Sequence, residues 1–110
     1  MSKNQAKKIA FAYARKLHRH GFAGAKVFLF GSRAKGKAGR WSDIDICVVS
    51  ERFKGKKWDW YEKQLWYARR SVDPHIEPIG MSPDEFEDVS PLAEEIRKTG
   101  IRVDHLAHKK

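Results

Sequence analysis

The stretch Phe28–Ser50, FLFGSRAKGKAGRWSDIDICVVS, decides how the chain is read. An apolar run ends at Gly31-Ser32, a glycine-rich cationic segment follows, and a second apolar run opens with Asp43 and Asp45. DIDICVVS (43–50) has the length and β-branched content of a strand. Side chains alternate faces along a strand. Ile44, Ile46 and Val48 therefore share one face, which suits packing under helices, and Asp43, Asp45 and Cys47 share the other. The two carboxylates stand ~6–7 Å apart at Cα by strand rise. Two carboxylates that close repel unless a cation lies between them. A hard divalent ion with oxygen ligands fits, and Mg²⁺ favours one or two carboxylates completed by substrate phosphates.

The segment before the aspartates supplies the phosphate side. Gly31 follows AKVFLFG (25–31), itself a short strand, and lets the backbone approach a ligand closely. Ser32 offers a hydroxyl, and Arg33, Lys35, Lys37 and Arg40 offer positive charge. The intervening 32–42 segment, with its glycines, reads as a loop. A phosphate-binding loop beside paired carboxylates is equipment for phosphoryl or nucleotidyl transfer, which rests on positioning and charge neutralisation. A third carboxylate completes a two-metal site. Glu77 is the leading candidate, on a predicted strand at 75–81, where an adjacent strand could set it opposite Asp45; Asp73 and Asp104 are weaker alternatives.

Around this centre, residues 5–19 and 58–72 read as amphipathic helices. The second has a predicted core stripe of Trp58, Tyr61, Leu65, Ala68 and Val72, with Trp60 and Tyr67 on the opposite face, open to a partner. Ser82-Pro83-Asp84-Glu85 and Ser90-Pro91 each open a short helix with a serine N-cap and proline at the first position. ERFKGKK (51–57) reads as a basic loop, and IRVDHLA as a possible terminal strand. The order α, β, β, α, β, α, α predicts an α/β (α+β) fold, a small mixed β-sheet with helices packed on one face.

The bulk numbers narrow the class. A chain of 110 residues suits a single domain, 1–110, with one modest core. Its apolar runs fall far short of the ~20 residues that span a bilayer, and MSKNQAKKIAFAYARK has no continuous apolar segment of the kind a secretory leader carries. Cys47 is the one cysteine, so no internal disulfide forms, and with five scattered histidines a zinc site is excluded; Cys47 reads as a core residue. The cytoplasm is the expected compartment. A net charge of +9 predicts attraction to polyanions, nucleotides or an acidic partner.

Gly31-Ser32, a cationic segment, then Ser42-Asp43-Ile44-Asp45 resembles the signature of the DNA polymerase beta-like nucleotidyltransferase superfamily, in particular its minimal (MNT) family. The resemblance covers nearly the whole chain and is most specific from Phe30 to Val48. It implies a polymerase beta-like nucleotidyltransferase fold and two Mg²⁺ ions bound with the nucleotide. It implies transfer of a nucleoside monophosphate, AMP from ATP or another NTP, to an acceptor hydroxyl with release of pyrophosphate. Asp43, Asp45 and Glu77 match the metal-binding and catalytic carboxylates; Gly31, Ser32, Arg33, Lys35 and Ser42 fall in the nucleotide-binding segment. Lys35 stands where the family often has arginine, and Glu77 where it more usually has aspartate. Many such proteins are antitoxins paired with a HEPN-domain toxin, so such a partner or a homodimer is expected to complete the site; RNA or another acceptor stays open, and no membrane is involved. Two rival readings stand beside this one: an NTP-binding antitoxin subunit that acts by occlusion, and a basic nucleic-acid-binding module.

Overall fold

The computed structural model describes residues 1–36, 39 and 43–107. Helix α1 (Lys3–Arg19) starts at a reciprocal capping box, in which the Ser2 hydroxyl accepts from the Gln5 N–H and the Gln5 side chain accepts from the Ser2 N–H. Its buried stripe, Ala6, Ala10, Tyr13, Ala14 and Leu17, is mostly small, so the helix can lie close on the sheet. Strands β1 (Lys26–Phe30), β2 (Ile44–Val49), β3 (Ile76–Met81) and β4 (Ile101–Arg102) form one mixed sheet in the order β3-β2-β1-β4. The β1–β2 and β1–β4 pairs are antiparallel and β2–β3 is parallel. Parallel pairing needs a long crossover, which α3 (Trp58–Arg69) provides. Pro78 is tolerated inside β3 because β3 is an edge strand.

The period-2 reading of β2 holds. Ile44, Ile46 and Val48 join Val27, Leu29 and Ile76 in the core under α1 and α3. The other face is partly covered by two short helices, α4 (Pro83–Phe86) and α5 (Pro91–Thr99), both opened by the expected serine caps. There Phe30, Cys47, Val49 and Met81 pack with Phe86 and Ile96. Cys47 is fully buried, and burial, with the charges of Glu62 and Glu85, pushes its thiol up to about 12, so it is a packing residue and not a nucleophile.

Three local expectations change. The segment after β1 does not begin as a loop: Gly31–Lys35 forms a short helix, α2, closed by Gly36. The basic segment after β2 begins with a 3₁₀ turn at Glu51–Lys54, held by the Ser50 hydroxyl. Trp58 is not in the core stripe of α3 but 55% exposed. Phe22 stacks on Phe53 and meets Tyr61 edge-on, and the three close the core at that end, which leaves the first turn of α3 outside it. Phe53 fits because β3 carries Gly80 there: a Cβ would come 2.5 Å from the phenyl ring.

Asp104 opens the short α6 (Asp104–Ala107) and is 1% exposed. It accepts from the Val27 N–H at 2.8 Å and takes a bidentate pair of bonds from Arg102 at 2.9 Å each. Burial works to raise its pKa, but the hydrogen bonds from Arg102 and Val27 prevail and hold it below the usual carboxylate range. A depressed folded-state pKa gives stability that is present above the unfolded value and lost as pH falls through the folded one. Asp104→Ala leaves the Val27 N–H without its acceptor and should cost ~1–3 kcal/mol in urea unfolding at neutral pH. That difference should shrink as the pH is lowered into and below the carboxylate range.

Candidate active site

Strand register assembles the site. Asp45 pairs with Phe30 of β1 on one side and with Glu77 of β3 on the other. Neighbouring strands lie ~4.8 Å apart, so the Asp45 and Glu77 carboxylates stand side by side on the face away from α1 and α3. Asp43 precedes β2 by one residue and is exposed, Asp45 is half-buried, and Glu77 is exposed. Asp45 is thus the member held inside the protein, with its two acidic neighbours facing solvent.

Gly31 follows Phe30 with φ +74°, in the left-handed region. Its own environment requires glycine twice over. A Cβ at position 31 would stand 2.4 Å from Asp45 Oδ2, so any side chain would collide with the carboxylate, and the backbone conformation disfavours L-residues. The chain therefore brings the start of α2 directly against the carboxylate group, and Ser32, half-buried, is the next residue along.

The electrostatics are unfavourable by construction. The Asp45 pKa is raised, first by burial and then by the charges of Asp43, Glu77 and Glu95. Glu95, on α5, is a fourth carboxylate of this region, and no local pattern singles it out. It is brought in only because α5 packs beside α2, where Lys35 Nζ lies 3.5 Å from Glu95 Oε2. The donor set fits a hard divalent cation, whose charge would relieve the crowding at Asp45. Among the described residues, however, no three His, Cys, Asp or Glu side chains are already arranged around a single metal position. Carboxylates of this number leave coordination positions for phosphate oxygens.

The other expected residues divide. Arg33 does not face the carboxylates as a free cation: it is 3% exposed, and its guanidinium donates to the Met1 carbonyl at 3.1 Å, tying α2 to the start of α1. Lys35 is on α2 and paired with Glu95. Ser42, Lys37 and Arg40 lie outside the described residues. Of the weaker third-carboxylate candidates, Asp73 accepts from the backbone N–H and ring of His75 just before β3, and Asp104 is committed to β1 and Arg102. Glu77 is the acidic residue that register sets beside Asp45.

The model of the nucleotidyltransferase domain family matches residues 12–105. A search of curated proteins finds no match. Among solved structures, a Sulfolobus solfataricus protein described as a nucleotidyltransferase superposes with a TM-score of 0.53 at 20% identity, covering 93% of this chain and 86% of that one. A toxin–antitoxin structure with AMP-PNP gives 0.58 at 22% identity, covering 88% and 79%. The toxin–antitoxin pair MntA–HpeT, in a form with two aspartates changed to glutamate, gives 0.52 at 18% identity, covering 97% and 81%. At these identities the likeness is one of fold.

A carboxylate whose pKa is raised on folding weakens the fold once it ionises, so its removal should help. Asp45→Asn should raise the thermal midpoint at pH 7 in the absence of divalent cation. The gain should fade as the pH is lowered until Asp45 is protonated in both folded and unfolded chains. Differential scanning calorimetry across that range checks both the sign and the window.

Proposed function

The chain belongs to the nucleotidyltransferase domain family, and on that premise we propose that it moves AMP from ATP to an acceptor hydroxyl, with Mg²⁺ held by Asp43, Asp45 and Glu77. The observation that carries this reading is the parallel register that pairs Asp45 with Glu77 while Gly31 is pressed against Asp45 from the neighbouring strand. Carboxylates for a cation and a close backbone approach for phosphates are then within one side chain of each other.

The roles follow from placement. Gly31 lets the triphosphate come close to the main chain, and the Ser32 hydroxyl bonds a phosphate oxygen. Lys35 offsets triphosphate charge, exchanging its Glu95 partner for phosphate at little cost, since a half-exposed pair is worth ~0–1 kcal/mol. The magnesium, when bound, supplies charge neutralisation at the reacting phosphate. Asp43 and Asp45 orient it. Glu77 takes the proton of the acceptor hydroxyl as the acceptor oxygen bonds to the α-phosphorus. The bond from the α-phosphorus to the bridging oxygen breaks, and pyrophosphate leaves with that electron pair. Glu77 carries one methylene more than aspartate and reaches from an exposed position on an edge strand.

Two neighbours of the same fold are toxin–antitoxin structures, one with AMP-PNP. They support an adenine nucleotide as the ligand and a toxin as the partner; in our reading ATP is the donor, this chain is the antitoxin and a HEPN-type toxin is the acceptor. A second reading, binding of NTP and partner without transfer, is favoured by one observation: among the described residues no three-ligand metal position is preformed.

Incubation with Mg²⁺ and ATP labelled at the α-phosphate, with and without the partner encoded beside it, separates the two. Transfer predicts covalent label on the partner, lost by ~10³-fold or more in Asp43→Ala/Asp45→Ala. Nucleotide binding that depends on Asp43, with no label moved, gives the occlusion reading.

A further inference from the structure

A second concave surface lies at the opposite end of the same strands. A cleft of about 670 Å³ is lined by Lys26 at the start of β1, Val49 at the end of β2 and Pro83 after β3. Asp45 and Val49 are four residues apart on β2, ~13 Å by strand rise, so this cleft is separate from the carboxylates. Four cations line it, Lys26, Arg52, Lys56 and Lys57, against two acids, Glu51 and Glu87. A smaller recess of about 320 Å³ shares Lys56, Lys57 and Tyr61 with it and adds Asp59 and Trp60. The two form one track across the segment from Arg52 to Tyr61.

Trp60, on this track, is set for contact and not for the core, and is 53% exposed. Tyr61 braces Trp60 edge-on at 5.0 Å and is itself covered by the Arg52 guanidinium at 5.3 Å, which also donates to its hydroxyl at 3.2 Å. The indole of Trp60 is thereby held in place while half its surface stays open. Protein interfaces are enriched in tryptophan and arginine but depleted of lysine, so it is the excess of cations, three of them lysines, and not the indole that points to a polyanion. A cationic groove with stacking aromatics is the equipment for single-stranded nucleic acid. The acidic side chains Glu51, Glu87 and Asp59 favour RNA over DNA as the occupant: in a cationic cleft they repel phosphate, but they can accept from the 2′-hydroxyl that only RNA carries.

We propose that this track binds single-stranded RNA, with a base stacked on Trp60 and phosphates on Lys56 and Lys57. The proposal does not depend on nucleotidyl transfer and is tested apart from it.

The test is fluorescence anisotropy with a labelled oligouridylate of about ten nucleotides in about 50 mM salt. Binding is expected, falling steeply as salt rises. Trp60→Ala should weaken it by roughly ten-fold and Trp60→Phe much less, since stacking on each aromatic contributes a factor of about that size. Lys56→Glu/Lys57→Glu should abolish it, and the matching oligothymidylate should bind more weakly. These positions are exposed, and an unchanged circular dichroism spectrum verifies the fold. No binding at this salt, equal affinity of wild type and Trp60→Ala, or equal affinity for the DNA strand would each overturn the proposal, the first leaving the face to a protein partner.

Discussion

The packing of Ile44, Ile46 and Val48 against α1 and α3 is the constraint from which the site follows. Alternation along β2 has a period of two, so committing these three to the core commits Asp45 and Cys47 to the other face. A slip of one residue would bury the aspartate under α1 and α3 and turn the isoleucines to the face under α4 and α5. Hydrophobic burial far from the chemistry thus fixes which way the carboxylate points. The β2–β3 register then adds Glu77, and the β1–β2 register adds Phe30 and, next to it, Gly31.

What this arrangement holds together is not self-stabilising. Asp45 is half-buried, crowded by three acidic neighbours, and backed by a glycine that admits no side chain. The fold tolerates this because the cost is local and the anchors lie elsewhere. Tyr13 donates to the Leu65 carbonyl at 2.6 Å inside the core. Asp104 ties β1 to the chain end. Glu62 accepts from the Gly80 N–H at 2.8 Å and steadies edge strand β3 against α3. Carboxylates crowded in this way would gain affinity for a cation that relieves them, at the expense of stability without it.

Much of this was legible in the sequence, for identifiable reasons. Strand alternation, serine N-caps followed by proline, and helical spacing are local signals, so β2, α4, α5 and α1 were readable. The DIDIC pattern and the preceding glycine pointed to the carboxylate pair, and Glu77 followed from guessing that β3 lies beside β2. The misses are tertiary. Trp58 satisfies the helical stripe but sits beyond the end of the core, which Phe22, Phe53 and Tyr61 already close. Arg33 looked like a free cation, and only the fold reveals that it turns toward Met1. Glu95 joins the site through packing of α5 on α2, for which no short-range pattern exists. The helix at Gly31–Lys35 was hidden by its glycine and its cations.

Where metal and nucleotide bind is answered directly by crystals grown with Mn²⁺ and a non-hydrolysable ATP analogue, through the anomalous signal of manganese. A peak is expected within coordination distance of the Asp43 and Asp45 carboxylates, with the triphosphate running past Gly31 and Ser32. A nucleotide bound elsewhere, for instance in the cleft beside Lys56 and Lys57, with no manganese at Asp45, would contradict the proposed site.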